Sequence, residues 1–150
     1  MGSLRERLSL HILSGQYFLH FAVMGIVLPY FNLYCYHLGL TGFEIGIVSA
    51  LRSVSLVIFS LIWSGLADRF SARKPIFIFC LFASTGIWTF FFYTQSFQGI
   101  FLTTLVYGVF YSPVIAFLEA FTMDWLGENK RSYGQVRAWG SISFIVMVIL

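Results

Sequence analysis

The sequence predicts an all-α integral membrane bundle, on three observations. Apolar residues make up 59% of the 150 and charged residues only 10%, where a soluble domain carries about 25% charged residues. Apolar runs long enough to cross a bilayer recur along the chain, joined by short polar connections. The basic residues collect in alternate connections. With a mean hydropathy of +0.85 and 18 Phe and 8 Tyr, too little polar surface remains to cover a soluble globule. This composition excludes an ordinary soluble enzyme, a disordered chain and a nucleic-acid binder.

The first apolar run covers 12–36, the second 43–66, the third 75–93 and the fourth 100–125. Each is long enough for a hydrocarbon core of about 30 Å with some tilt. Pro75 suits the first position of the third helix, where its missing N–H costs nothing. A fifth run, 135–150, is still apolar at Leu150 and rises only about 24 Å. It reads as a helix cut short, in the N-terminal part of a longer protein. The first run is too long for the apolar region of a signal peptide, and no Ala-x-Ala site follows it. Cys35 and Cys80 both lie inside apolar runs, which implies neither a disulfide framework nor a metal site.

Orientation follows from the basic residues. Arg5 and Arg7 precede the first run, Arg69, Arg73 and Lys74 join the second to the third, and Lys130, Arg131 and Arg137 lie between or at the fourth and fifth. Connections 37–42 and 94–99 hold no Lys or Arg. Eight of the nine basic residues thus share one side, which places the N-terminus in the cytoplasm. The ninth, Arg52, is inside the second run, roughly 14 Å from its end. An Arg facing lipid is costly. Its partner is expected on another helix, Glu119 among the choices, or in an anionic solute. A purely structural pair is the plainer account.

Two stretches carry charge that needs explaining. The connection Ser64-Gly65-Leu66-Ala67-Asp68-Arg69-Phe70-Ser71-Ala72-Arg73-Lys74-Pro75 puts Asp68 at a helix C-terminus, where the dipole disfavours a carboxylate. Arg73 is in reach as its counter-charge. The turn is either a clamp between two helices or a basic loop that happens to hold one acid. The second stretch contains Glu119, an acid within a span, which is a functional hypothesis by default. Counted from Glu128 as the hairpin centre, Glu119 lies nine residues before and Arg137 nine after. Antiparallel neighbours then bring them to equal depth. Arg137, Ser141 and Phe144 follow at i, i+4 and i+7 on one face. A fork donor, a hydroxyl and an aromatic plate suit a sugar or nucleoside. The alternative is an ion pair that only fixes one helix against the next, and both can hold at once.

Weaker signals complete the reading. Asp124 is about 140° round the helix from Glu119 and faces elsewhere, towards the charged connection of Asp68 and Arg69. Glu44 is a favourable first-turn acid. His20 and Asn32 are polar residues available to line an interior. Gly25 with Pro29 and Gly108 with Pro113 are expected to interrupt the first and fourth helices in matching places, a mark of inverted-repeat transporters. Chance is the other explanation, since Gly and Pro are frequent in membrane helices.

The charged connection resembles the loop between helices two and three of the major facilitator superfamily, Gly-x-x-x-Asp-Arg/Lys-x-Gly-x-Arg-Lys/Arg. Asp68, Arg69, Arg73 and Lys74 fall on its charged positions, while Ser64 and Ser71 stand where the pattern has Gly. Small residues at both keep close helix packing possible. The resemblance implies a conformational latch, with which Asp124 is grouped. Residues 119–137 resemble the lactose permease and its relatives, the oligosaccharide, nucleoside and phenylpropionate transporters, in the Glu-Ala-Phe and Gly-x-x-Arg surroundings and in the spacing between acid and base. Met24-Gly25 and Pro29 fit the same pattern. That likeness implies solute contact by Glu119 and Arg137, and stacking by Phe144, which stands where the permease has a Trp. Arg52 departs from the permease, which is apolar there, and hints at a carboxylate-bearing solute.

The implied whole is a major-facilitator-type bundle. The first four transmembrane helices and the start of a fifth, residues 1–150, would form the N-terminal half, with the C-terminal half missing. Its implied activity is secondary active transport by alternating access, as proton-coupled symport of a sugar, nucleoside or organic acid, in a bacterial inner membrane. The partners are a small-molecule substrate, a proton and the lipid bilayer, with no cofactor, metal or nucleic acid. No His-Glu-x-x-His, Gly-x-Ser-x-Gly or phosphate loop points to an enzyme. Other readings are an efflux antiporter, a transporter-like sensor or assembly factor, and a short protein working as an oligomer. Two Arg against one Glu in the charged interior argue against cationic drugs as cargo.

Overall fold

The structure is a computed structural model. It describes the backbone of residues 4–127 and 131–149 and the side chains of 10–127 and 133–149. Arg5, Arg7, Lys130 and Arg131, part of the orientation argument, and Glu128, the counted hairpin centre, have side chains outside that set. The described elements are five α-helices: α1 (Leu4–His37), α2 (Gly42–Arg69), α3 (Arg73–Trp88, continued by one 3₁₀ turn at Thr89–Phe92), α4 (Phe97–Leu126) and α5 (Arg131–Ile149). All-helical architecture is what the bilayer requires, since a helix satisfies its own backbone polar groups. Among the described residues, four segments are long and apolar enough to cross a membrane: Leu10–His37, Gly42–Arg69, Arg73–Phe92 and Phe97–Leu126. They contain the first, second and fourth expected runs, and the third ends at Phe92, one residue short of the expected 93. α5 is not among them; Arg131, Gln135 and Arg137 dilute its first two turns.

The chain divides into two compact units, residues 1–31 with 118–150 and residues 32–117. The boundaries fall within α1 and α4.

In the second unit, the turn from α1 to α2 is fixed by local chemistry. Gly39 takes a left-handed φ of 84°. Its N–H reaches Tyr36 O at 3.0 Å and the Leu40 N–H reaches Cys35 O at 3.2 Å, the two bonds of a Schellman motif. Thr41 then caps α2. Its N–H and hydroxyl each donate to Glu44 Oε2 at 2.8 Å, and Glu44 N–H donates back to Thr41 Oγ1 at 3.4 Å. This capping box gives Glu44 the role expected of a first-turn acid.

The turn from α2 to α3 repeats the first. Ser71 N–H bonds Asp68 O at 3.3 Å and Ala72 N–H bonds Ala67 O at 3.1 Å. The left-handed position falls on Ser71, with φ 50°. Glycine in the superfamily pattern is therefore explained here by backbone conformation, and the packing role expected of a small residue is secondary. An L-residue in this region costs about 1–2 kcal/mol, which Gly avoids. Ser71→Gly is thus expected to stabilise the full-length protein by about 1 kcal/mol, read as a higher apparent melting temperature in detergent. An unchanged or lower value would show that Ser71 offsets its strain. α3 begins two residues before the expected start, so Pro75 is its third residue. The first turn has spare N–H groups throughout, so proline is tolerated there as well.

α2 and α4 approach closely where Ser55, buried, meets Gly108. A Cβ on Gly108 would lie 2.7 Å from Ser55 Cβ and 3.1 Å from its Oγ. Neither proline interrupts its helix: α1 runs through Pro29 and α4 through Pro113. Pro113 has no N–H, so the carbonyl of Val109 loses its helical donor. The Trp63 indole of α2 replaces it, donating to Val109 O at 2.7 Å. A substitute donor from a neighbouring helix keeps the backbone satisfied and the helix continuous. Tyr34 of α1 similarly donates to Phe91 O at 2.8 Å.

In the first unit, α1 packs on α5 through a stripe of small residues. Ser143 donates to Phe18 O at 2.7 Å. A Cβ on Gly25 would lie 3.0 Å from Phe144 O, and one on Gly140 would run into the Phe21 ring. Small residues of this kind let membrane helices approach to backbone distance.

Candidate functional site

The hairpin of α4 and α5 holds the strongest candidate site. Gly127, left-handed at φ 51°, follows the last residue of α4. Two turns back along α4 lies Glu119, and two turns into α5 lies Arg137. The structure brings them together, with Arg137 Nη1 3.3 Å from Glu119 Oε1. The pair is open on one side: the Arg137 side chain is 53% exposed and that of Glu119 37%. Screening at such exposure keeps its own contribution to stability small.

Two residues to which the sequence reading gave no role join the pair. Tyr133, one turn before Arg137, accepts a hydrogen bond from Arg137 Nη1 at 2.8 Å. The guanidinium carbon also stands 5.9 Å from the Tyr133 ring centroid. Tyr17 of α1 is fully buried beside Thr122, and its hydroxyl feels Tyr133, Glu119 and Arg137 electrostatically. Tyr133 had a legible signal, the i, i+4 spacing to Arg137. Tyr17 had none, because its contacts come from helices distant in sequence.

Ser141 is exposed and Phe144 half-buried. With Arg137 they lie on a face about 100° round α5 from the buried Val136, Gly140 and Ser143. The turn at Phe144 is pressed against α1 at Gly25.

Arg52 belongs to the other unit. It is half-buried on α2, with Tyr107 and Tyr111 of α4 and Cys35 of α1 in electrostatic reach. The two phenol rings stack at 4.9 Å, and Trp88 packs on Tyr107 at 5.3 Å. Phenolic neighbours were not foreseen; an acid or an anionic solute was. Nearby, Asn32 accepts from the Ser49 hydroxyl at 3.2 Å. His20, in the first unit, stands edge-on to Phe21 at 5.5 Å.

In the charged connection, Arg73 donates to Asp68 Oδ1 from Nε at 3.0 Å and from Nη2 at 2.8 Å. This is the counter-charge that the helix terminus called for. Both side chains are largely exposed, and Arg69 and Lys74 beside them are exposed too. Asp124 is exposed near the end of α4. Among the described residues no group of His, Cys, Asp and Glu could hold a metal ion.

Comparison with known proteins follows the same lines. The chain is 27% identical over 134 residues to a probable 3-phenylpropionic acid transporter of Escherichia coli K12, covering 87% of this chain and 34% of that protein. It is 28% identical over 118 residues to a sucrose permease of Escherichia coli, covering 73% and 28%. A putative nucleoside transporter of Escherichia coli K12 matches at 23% over 107 residues, covering 71% and 25%. The chain therefore spans about a third or less of the length of these relatives. No solved structure matches significantly. The model of the MFS_1-like family matches residues 10–150, and the chain belongs to that family, within the major facilitator superfamily of membrane transporters.

Proposed function

We propose that the protein carrying this chain is a secondary active transporter that moves a small polar or aromatic solute, a sugar, nucleoside or organic acid, by alternating access with a coupled proton. The observation that carries the reading is the Glu119–Arg137 pair, an acid and a base meeting on one membrane hairpin with one side open. Charges within membrane helices mark function or pairing, and a half-exposed pair contributes little to stability. Glu119 and Arg137 would hydrogen-bond the solute, with Ser141 as a further donor and Phe144 as a stacking surface. Proton coupling rests on likeness to the symporters, as does the bilayer's identity as a bacterial inner membrane. The cytoplasmic N-terminus rests on the distribution of basic residues. Asp68, Arg69, Arg73, Lys74 and Asp124 would form the conformational latch. Arg52 would meet the carboxylate of an acidic solute. Residues 1–150 would belong to the N-terminal half of the transporter.

The test is a thermal-shift screen on the purified full-length protein. Sucrose and uridine are compared with 3-phenylpropionate and succinate, for the natural protein and for Arg52→Ala. Stabilisation by the carboxylates that vanishes in Arg52→Ala is the result expected for an acidic solute. Stabilisation by sugar or nucleoside, unchanged in Arg52→Ala, removes Arg52 from the site and leaves it structural. A protein that none of the four stabilises, and that accumulates none of them in energised vesicles, contradicts the transport reading for these solute classes.

A further inference from the structure

We infer that Tyr133 is a positioning residue that keeps the Arg137 guanidinium aimed when Glu119 lets it go. The inference rests on the solute-binding role proposed for Arg137.

A single nitrogen, Nη1, meets both acceptors, the Tyr133 phenol at 2.8 Å and the Glu119 carboxylate at 3.3 Å. The shorter contact is to the neutral group. The i, i+4 spacing places phenol and guanidinium on one face of the same helix, so no movement between helices is needed to keep them together. Tyr133 is half-buried while Arg137 is mostly exposed, so the tyrosine is the fixed member. Its ring face lies within the range of a cation–π contact and restrains the guanidinium a second time. Among the described residues the contacts of Arg137 are gathered at Nη1.

A carboxylate that contacts solute must exchange partners during a transport cycle. Glu119 is on another helix and changes charge if it is protonated. Tyr133 does neither. An arginine held only by Glu119 would regain its rotamers each time the pair opened, and binding would have to order it again. The phenol removes that requirement. The hydroxyl of Tyr17, enclosed nearby, lies within electrostatic reach of the same groups.

The experiment uses the full-length protein in energised vesicles, with labelled 3-phenylpropionate, sucrose and uridine as probes. Tyr133→Phe keeps the ring and removes the acceptor. The expected result is a KM raised about tenfold, the loss of one hydrogen bond to a charged group, with Vmax within about twofold. Tyr133→Gln, which offers an amide oxygen, is expected to recover part of the KM. In an Arg137→Lys background the same Tyr133→Phe change should have under about a twofold effect, since the phenol acts through the guanidinium. A second readout needs no solute: phenylglyoxal labelling of Arg137, followed by mass spectrometry. Labelling should accelerate severalfold when Tyr133→Phe is added to Glu119→Gln.

Unchanged KM and labelling in Tyr133→Phe, alongside an inactive Arg137→Ala, overturn the inference and leave the binding role of Arg137 standing. A lower Vmax at constant KM also overturns it. If none of the probes is transported, the transport reading fails for those solutes and the labelling rate alone decides whether Tyr133 holds the guanidinium.

Discussion

Arg137→Ala is expected to lower solute uptake by the full-length protein roughly 30- to 100-fold. Removing one member of a charge pair leaves the other uncompensated, at about 2–5 kcal/mol for enclosed pairs. The half-open setting of Glu119 and Arg137 calls for the lower end of that range, and each 1.4 kcal/mol is about tenfold. The single variant alone does not separate binding from structure, because an orphaned Glu119 also disturbs the hairpin. The double variant Glu119→Ala/Arg137→Ala does. Removing both charges restores folding, since no unpaired charge is left on the hairpin. Surface expression of the double variant should therefore approach that of the natural protein while uptake stays at least as low as in Arg137→Ala. A double variant that transports normally would make the pair a structural tie and leave the site elsewhere.

Gly108→Ala is expected to be the most damaging of the single-methyl changes. The added Cβ would sit 2.7 Å from Ser55 Cβ, an atom fixed directly to the α2 backbone. No side-chain rotation relieves such a contact, so the helices themselves must separate. Overpacking of this kind costs about 1–3 kcal/mol. Separation would also strain the Trp63 bond to Val109 O, one residue along α4, and leave the carbonyl freed by Pro113 to the longer contact from Ser112 Oγ at 3.4 Å. The check is the apparent melting temperature of the full-length protein in detergent, with Ser55→Gly/Gly108→Ala as the compensating pair. The double variant should recover most of the loss. Equal melting of Gly108→Ala and the natural protein would mean that α2 and α4 have room to part.

The fold was legible where one local property sufficed. Apolar length marked the spans, and the count of residues either side of a turn brought Glu119 to Arg137 and Asp68 to Arg73, since each pair spans one tight connection. What the sequence concealed came from other helices or from the backbone. Trp63 repairs a carbonyl on α4 from α2, and without that bond Pro113 reads as a break. Ser71 gives no sign of its left-handed φ beyond departing from a pattern. Tyr17 becomes a neighbour of the charged pair only when α1 is packed against α4 and α5. Tyr133 was available from spacing, but a tyrosine at the start of an aromatic-rich span reads first as interfacial.

The placement of both charges on a single hairpin also bears on how the chain enters the bilayer. An arginine delivered alone to the hydrocarbon would meet an insertion penalty of about 2.5–3.5 kcal/mol. Glu119 and Arg137 leave the ribosome within moments of each other, since only four residues separate the end of α4 from the start of α5. The hairpin can therefore partition from the translocon as one nearly neutral body, its acid and base already matched, before any later part of the protein has been synthesised.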